Sequence, residues 1–314
     1  MDGSGVQRVG IVGAGTIGAS WAAFYASRGI HVSLYDADPQ ACARGLERAA
    51  AQLADLRRLG LLQRPGRVAA AGSIEEVAAG AALVHEAVSE SYEAKVPLFS
   101  RLDGVADPGT VLASSSSGLL MTRVQAEMRR PGRSLIAHPF NPPHLVPLVE
   151  LVGGERTDPQ TLAWARAFYA GLGKVPVVLR QEVPGHLANR LAAALWREAL
   201  DLVARGVASV EDVDRALCAG PGLRWALMGQ HLIYHLGGGA GGYRHFIDHI
   251  GSGWSPLWTD MATWTQIPPQ ARQAALDGME EAMAGRSAAE LSAWRDGKLA
   301  ALLRLLDGEH GGPR

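Results

Sequence analysis

The sequence predicts an α/β protein, with a doubly wound, mainly parallel sheet in residues 1–183 and an all-helical region in residues 184–314. Three observations predict this organisation. A short apolar run near the N-terminus leads into a glycine-rich turn, apolar runs alternate with helical segments as far as Leu179, and strand-like alternation does not return after Pro184 and Gly185. Strands that alternate with helices of this length are typical of a parallel sheet covered on both faces. We therefore place a domain boundary near residue 183.

The glycine-rich turn indicates a dinucleotide-binding domain of the Rossmann type. The apolar strand at residues 9–12 is followed by the spacing G-x-G-x-x-G, which comprises Gly13, Ala14, Gly15, Thr16, Ile17 and Gly18. The first glycine makes a tight turn, the second lets the backbone approach a pyrophosphate, and the third lets helix and strand pack closely. The phosphates would bind the amides at the N-terminus of the next helix. We expect these six residues to bind a cofactor.

A second apolar strand, at residues 30–36, ends in Asp36, 18 residues after Gly18. A carboxylate at this place can accept hydrogen bonds from both ribose hydroxyls of adenosine and repels a 2′-phosphate. Asp36 therefore predicts that the cofactor is NAD and not NADP. The alternative is an aspartate that only caps a turn.

Polar side chains follow several of the later strands. Further strands are predicted at residues 82–88, 111–113, 134–138, 146–152 and 175–179, and helices at 39–62 and 160–171. In a doubly wound sheet, functional groups gather at the carboxyl ends of the strands. Glu90, the serine run at 114–117 and His138 all fall at such ends.

His138 and Glu150 are candidate partners in proton transfer. They lie 12 residues apart, and the Asn-Pro-Pro turn between them would fold the chain back so that imidazole and carboxylate meet. A histidine oriented by a glutamate is a suitable general base for a hydroxyl proton as hydride leaves. The alternative is a buried core histidine, and the spacing alone leaves both interpretations open.

Over nearly its whole length the sequence resembles the L-3-hydroxyacyl-CoA dehydrogenase family. The matching segments are residues 13–18, Asp36, Glu86-Ala87-Val88-Ser89-Glu90, residues 114–117, His138-Pro139-Phe140-Asn141-Pro142, Leu148-Val149-Glu150 and residues 183–190. The resemblance implies that His138 is the catalytic base and Glu150 its orienting partner. It also implies that Ser117 contacts the reacting oxygen of the substrate and that Asn189 helps to hold the carbonyl oxygen. By the same resemblance, Glu90 and Lys95 line the ribose and nicotinamide of NAD. The alternatives are a solvated loop for the serine run and a solvated helix charge for Lys95.

Within the family, the sequence is most similar to the non-thioester branch that includes lambda-crystallin and L-carnitine dehydrogenase. Segments 222–229, 241–246 and 285–291 carry this similarity. Residues 37–72 contain six arginines and no lysine, and the compact hairpin that grips CoA in the thioester enzymes looks shortened. We therefore predict an NAD-dependent dehydrogenase that interconverts a small, carnitine-like L-3-hydroxy acid and its 3-keto form.

The substrate residues are predicted less directly. Arg224 offers a planar fork to a carboxylate, and the aromatic face of Trp225 suits a quaternary ammonium group. A structural salt bridge or a helix cap is the alternative for Arg224. The alternatives for the whole chain are a ketoreductase of an aromatic polyketide intermediate, a 3-hydroxyacyl-CoA dehydrogenase and a crystallin-like structural protein. An intact set of Ser117, His138, Glu150 and Asn189 favours an enzyme.

The composition argues against several other classes of protein. With 47% hydrophobic residues, 19% charged residues and a net charge of −1, the chain resembles an ordinary globular protein and not a binder of nucleic acid or anionic membranes. No apolar run approaches the roughly 20 residues that span a bilayer, and the first residues lack the basic segment of a signal peptide. Cys42 and Cys218 are isolated, so we expect no metal site and a cytoplasmic location. We also expect a homodimer formed through the helical region, a flexible loop at the glycine run 237–242, and a frayed end from Gly308.

Overall fold

The computed structural model describes residues 5–307, and the chain divides into two compact units between Arg190 and Leu191. The expectation of a frayed end from Gly308 lies outside the described residues. Among residues 5–307, no helix is both long enough and apolar enough to cross a bilayer.

The first unit is built on one eight-stranded sheet with the order β3-β2-β1-β4-β5-β6-β7-β8. The strands are β1 Arg8–Val12, β2 His31–Tyr35, β3 Arg67–Ala70, β4 Leu83–Glu86, β5 Val111–Ser114, β6 Ser134–Pro139, β7 Leu148–Val152 and β8 Val175–Val178. Neighbouring strands are parallel except for β6 and β7, which pair antiparallel. The predicted doubly wound, mainly parallel sheet is confirmed.

Helices cover both faces of this sheet. They are α1 Thr16–Ala26, α2 Pro39–Arg58, α3 Ile74–Ala78, α4 Tyr92–Val105, α5 Met121–Val124 and α6 Pro159–Gly171. Successive strand residues point to opposite faces, and the sequence supplies apolar side chains for both. In β4, Leu83 belongs to the core that contains Trp21, whereas Val84 belongs to the core that contains Phe99. This double burial explains why the strands appear in the sequence as continuous apolar runs.

The structure differs from the sequence prediction at one helix boundary and in one additional strand. The helix predicted to reach residue 62 ends at Arg58, and the edge strand Arg67–Ala70 was not predicted. This strand has four residues, none of which is buried, and it pairs only with β2. A strand this short and this exposed has no apolar pattern by which it could be recognised.

The second unit is entirely helical within the described residues, as predicted. Its helices are α7 Ala188–Ala204 (which begins just before the division), α8 Val210–Ala219, α9 Pro221–Trp225, α10 Gln230–Gly237, α11 Gly242–His245, α12 Ser255–Asp260, α13 Pro269–Ala282 and α14 Ala288–Asp307.

The expectation of a flexible loop at residues 237–242 was wrong. A 3-10 turn, Gly239–Gly241, leads directly into α11. A Cβ atom on Gly238 would lie 1.9 Å from the carbonyl oxygen of Gly242, so the backbone packs against itself where only glycine fits. The glycine run serves close packing here, which composition alone does not distinguish from flexibility.

Candidate active site

The glycine-rich turn leaves an open cradle at the N-terminus of α1. Gly13 has a φ of +101°, and a Cβ on it would lie 2.5 Å from the carbonyl oxygen of Ala87. A Cβ on Gly18 would lie 1.8 Å from the carbonyl oxygen of Gly13, whereas a Cβ on Gly15 would meet no atom within 4 Å. Gly15 precedes α1 and provides no side-chain cap for its first-turn amides. The turn is thus closed on the protein side and open on the ligand side, which fits a dinucleotide pyrophosphate.

Asp36 lies at the edge of a cavity of about 530 Å³ that also touches Gly13 and Gly15. Its Oδ2 accepts a hydrogen bond from the amide of Ala14 at 2.8 Å, and its Oδ1 accepts one from the amide of Asp38 at 3.0 Å. These amides fix the carboxylate beside the glycine-rich turn. Asp36 therefore does more than cap the turn that follows β2.

The antiparallel pairing of β6 and β7 places His138 directly opposite Glu150. Nδ1 of His138 lies 2.8 Å from Oε2 of Glu150, and both side chains are buried. Oε1 of Glu150 accepts hydrogen bonds from the amides of Leu187 and Ala188, each at 2.9 Å. Burial raises the pKa of Glu150, but the hydrogen bonds from His138 and from the two amides outweigh it and hold that pKa below its usual value.

This arrangement determines which nitrogen of His138 can act as a base. An ionised Glu150 only accepts hydrogen bonds, so Nδ1 of His138 carries the proton that it donates. The lone pair of the neutral imidazole is then on Nε2. Since the core-histidine alternative requires no such oriented carboxylate, the geometry favours the proton-transfer interpretation.

The loop that joins β6 to β7 is held by side chains from other elements. The ammonium group of Lys174 is buried and donates to the carbonyl oxygens of Pro143 and Val146. Ser20 of α1 hydrogen-bonds to His144, with 2.7 Å between its Oγ and the ring Nδ1. These contacts fix the turn that brings His138 and Glu150 together, and Ser20 connects that turn to the helix behind the glycine-rich loop.

One cavity of about 420 Å³ in the first unit brings together six of the predicted site residues. Its lining includes Ile17, Glu90, Lys95, Ser117, His138 and Asn189. Nδ2 of Asn189 donates to the carbonyl oxygen of Ser117 at 3.0 Å. The cavity also shares Ala87 and Val88 with the cavity at Asp36. The two cavities therefore lie on either side of the same short segment, which suits a ligand with two halves.

The solvated-charge alternative for Lys95 was wrong. Its side chain is 1% exposed, and its Nζ lies 2.6 Å from Oε1 of Glu86 and 3.5 Å from Oε2 of Glu90. The serine run is not a solvated loop either, because Ser114 and Ser116 are buried. Only Ser117 in this run is exposed, and it lines the cavity.

Sequence reasoning assigned no role to Glu86 or to His186. Glu86 is fully buried at the end of β4, and a glutamate that ends a buried strand is the signal that could have identified it. His186 is 1% exposed, has a φ of +52°, and donates from Nε2 to the carbonyl oxygen of Ser116 at 3.0 Å. Its ring centroid lies 5.3 Å from that of His138, and burial lowers the pKa of His186.

Arg224 and Trp225 belong to the second unit, where both are exposed on α9. The indole nitrogen of Trp225 donates to Oε1 of Gln230 at 2.5 Å. Within residues 5–307 the guanidinium of Arg224 has no ion-pair partner, which argues against the salt-bridge alternative. Their assignment as substrate residues stays a prediction.

Known proteins match both units. Residues 8–183 match the NAD binding domain of 3-hydroxyacyl-CoA dehydrogenase, and residues 185–277 match its C-terminal domain. The chain is 44% identical over 301 residues to L-carnitine dehydrogenase from Streptomyces griseus, covering 95% of this chain and 90% of that protein. It is 40% identical over 307 residues to L-carnitine dehydrogenase from Pseudomonas aeruginosa, covering 95% and 93%.

A solved structure matches at nearly full length. It is 5-formyl-3-hydroxy-2-methylpyridine 4-carboxylic acid 5-dehydrogenase, described as an NAD+-dependent dismutase, with a TM-score of 0.84 and 32% identity, covering 97% of this chain and 100% of that one. The glycine-rich turn, the acidic residue after β2 and the open cradle fit the cofactor of this family. The chain therefore belongs to the 3-hydroxyacyl-CoA dehydrogenase family and is an NAD-dependent oxidoreductase that acts on a CH–OH group.

Proposed function

We propose that this enzyme oxidises the 3-hydroxyl group of a small, carnitine-like L-3-hydroxy acid to the 3-keto acid. The observation that carries the proposal is the buried His138–Glu150 pair in the wall of a cavity that reaches the first turn of α1. The relatives that act on L-carnitine support the substrate class. A CoA thioester is less well supported, because α2 is followed by the connection 59–66 and then by β3, with no second helix to form a hairpin.

His138 is the general base in the proposed reaction. Its Nε2 removes the proton of the substrate hydroxyl while the hydrogen on the same carbon leaves with its electron pair, so the C–O bond becomes a carbonyl. When bound, NAD+ supplies the acceptor for that hydride. Glu150 holds the imidazole in the correct tautomer and stabilises its positive charge once the proton has moved. In the reverse direction His138 returns the proton.

Ser117 and Asn189 position the reacting oxygen. The hydroxyl of Ser117 is exposed at the cavity, where it donates to Oε1 of Glu90 at 3.3 Å, and in this proposal it turns to the reacting oxygen when substrate binds. Asn189 uses one amide hydrogen on the carbonyl of Ser117, which leaves its second hydrogen for the substrate. Both groups are neutral donors, so they stabilise partial negative charge on the oxygen without changing the net charge of the site.

In this proposal the cofactor lies along the carboxyl ends of the strands. Residues 13–18 bind the pyrophosphate, Asp36 the adenosine ribose, and Glu90 and Lys95 the nicotinamide end. Both carboxylate oxygens of Asp36 face donors, and an ionised Asp36 would repel a 2′-phosphate. We also propose that the enzyme works in the cytoplasm, where NAD is available.

The second unit selects the substrate and forms a homodimer in this proposal. Arg224 binds the carboxylate and Trp225 contributes an aromatic face. Helix α7 supports dimerisation, because Leu191 is 66% exposed and Trp196 58% exposed, and buried apolar area of this kind stabilises a two-fold interface. We also propose that this protein is related to lambda-crystallin.

Substrate oxidation is tested by following NADH absorbance at 340 nm with carnitine, gulonate, 3-hydroxybutyrate, its CoA thioester and a bicyclic ketone. We expect turnover with a free 3-hydroxy acid, highest for carnitine. His138→Ala should lower kcat by roughly 10²–10⁴-fold and leave NADH affinity within twofold. The matched control is His31→Ala, which removes an exposed imidazole on β2. Turnover of the thioester or the ketone alone, or normal kcat in His138→Ala, would contradict the proposal.

A further inference from the structure

Three charged side chains form a network at one wall of the active-site cavity. They are Glu86, Lys95 and Glu90, here called the charge cluster. Lys95 lies between the two carboxylates, 2.6 Å from Glu86 and 3.5 Å from Glu90. Glu90 and Lys95 line the cavity directly, and Glu86 is fully buried behind them. The proton-transfer step does not use any of the three.

Burial raises the pKa of Glu86, but the hydrogen bonds that it accepts and the charge of Lys95 oppose this rise and favour its ionised form. Its carboxylate accepts from Nζ of Lys95, from the amide of Val88 at 2.6 Å and from Oγ of Ser114 at 2.5 Å. The hydroxyl of Ser114 also accepts from the amide of Ser116 at 3.2 Å. The ammonium group of Lys95 and the amide of Val88 can only donate, so both partners of Oε1 stabilise the ionised carboxylate of Glu86.

Glu90 is ionised by the same reasoning. Its Oε1 accepts from the hydroxyl of Ser116 at 2.7 Å and from the amides of Ser117 and Gly118 at 2.8 and 3.0 Å. Burial raises the pKa of Glu90, but the hydrogen bond from Ser116 and the charge of Lys95 hold it below its usual value. The cluster thus contains two carboxylates and one ammonium group, with one net negative charge.

The rest of the cavity does not neutralise this charge. His138 is the other titratable group in its lining, and its neutral imidazole is paired with a third carboxylate, Glu150. The cavity of about 420 Å³ is therefore lined by the carboxylate of Glu90 and the ammonium group of Lys95, whereas Glu86 and Glu150 are buried behind the lining. We therefore expect a negative potential in the cavity, where one charge acts more strongly on a ligand than in water because the protein walls have a low dielectric constant.

We propose that the charge cluster sets the preference between the two oxidation states of the cofactor. The nicotinamide ring is cationic in NAD+ and neutral in NADH, so the negative cavity stabilises NAD+ relative to NADH. The cluster therefore favours binding of the cofactor form that oxidation of the hydroxy acid consumes, and by the same amount it makes hydride transfer to the bound ring less favourable. The inference rests on the proposed function, which places the nicotinamide end in this cavity. One unit charge within about 8 Å, at an effective dielectric constant of about 20–40, changes the ratio of the two affinities by about 5- to 30-fold.

The test measures binding, not turnover. The Kd of NADH is obtained from its fluorescence, and the Kd values of NAD+ and of ADP-ribose are obtained by competition. In Glu90→Gln the ratio of Kd for NAD+ to Kd for NADH should rise about 5- to 30-fold, and in Lys95→Met it should fall by a similar factor. ADP-ribose lacks the nicotinamide, so its Kd should stay within threefold of wild type. Glu93→Gln is the matched control, because Glu93 is an exposed carboxylate on the same helix, and its ratio should stay within twofold.

Opposite shifts in the two variants support the inference. A ratio within twofold of wild type in Glu90→Gln overturns it, as do shifts in the same direction, which would indicate a disturbed cavity wall. If Lys95→Met does not fold, Glu90→Gln decides alone, because the side chain of Glu90 is 40% exposed and its substitution is tolerated more easily. The two proposals fail separately. Shifted ratios without oxidation of any 3-hydroxy acid would refute the proposed function only, and carnitine oxidation with unshifted ratios would refute this inference only.

Discussion

Glu150→Gln tests the catalytic pair most sharply, because glutamine has the shape of glutamate but cannot satisfy the same partners. All three partners of Glu150 are donors: Nδ1–H of His138 and the amides of Leu187 and Ala188. A glutamine offers one oxygen and one NH₂ group. Keeping its oxygen on the two amides preserves two hydrogen bonds and turns the NH₂ toward His138, which must then accept at Nδ1. The proton moves to Nε2, and the base is lost.

The expected effect follows from that tautomer. Loss of the general base lowers kcat by roughly 10²–10⁴-fold. NADH affinity should stay within twofold, because Glu150 does not line either cofactor cavity. The assays are initial rates at 340 nm and NADH fluorescence titration, with urea denaturation to verify folding. Glu155→Gln is the control, since it makes the same change on an exposed residue beyond β7. A folded Glu150→Gln enzyme with kcat within threefold of wild type would refute the assignment of the pair.

Four further predictions follow from the described contacts. Asp36→Ala should reduce the preference for NAD over NADP by at least tenfold in kcat/KM, and equal use of both cofactors by the wild type would contradict the placement of Asp36. Lys174→Met should lower the free energy of unfolding by about 2–4 kcal/mol, because two buried carbonyls lose their donor, whereas exposed Lys298→Met should have no measurable effect. The hydrogen bonds that Glu150 accepts lower its pKa in the folded state, so its stabilising effect is complete above the pKa of the unfolded state and is lost as pH falls through the lower folded-state pKa. The difference in unfolding free energy between wild type and Glu150→Gln should therefore stay constant from about pH 7 to 5 and shrink at lower pH. Arg224→Met should raise KM for a carboxylate substrate and leave NADH affinity unchanged, and an unchanged KM would favour an uncharged ketone substrate.

The sequence predicted those parts of the site that depend on short spacing. Residues 13–18 and Asp36 are separated by one helix and one strand, and a parallel β1–β2 pair brings them together in any fold of this type. The pairing of His138 with Glu150 was left open, because it depends on register. It is realised because β7 runs antiparallel to β6, with those two residues opposite each other.

The parts that the sequence left undetermined depend on burial and on distant segments. Nothing in the pattern around Lys95 distinguishes a solvated helix charge from an ammonium group held between Glu86 and Glu90. The contact of His186 with Ser116 joins residues 70 positions apart and needs a backbone at positive φ. Such a conformation is uncommon for any residue other than glycine, so the sequence does not indicate it.

The short stretch between the sheet and the helical unit affects how the chain can be cut or recombined. The amides that bind Glu150, the imidazole that binds Ser116 and the side-chain amide that binds Ser117 all come from residues 186–189. A fragment that ended at residue 183, where the two matched family domains meet, would keep the dinucleotide loop and lose all of these groups. A fragment that ended at Arg190 would keep them. Chimaeras joined at residue 183 would likewise take the carboxylate from one parent and its amide donors from the other, whereas a junction after Arg190 inherits both from the same parent.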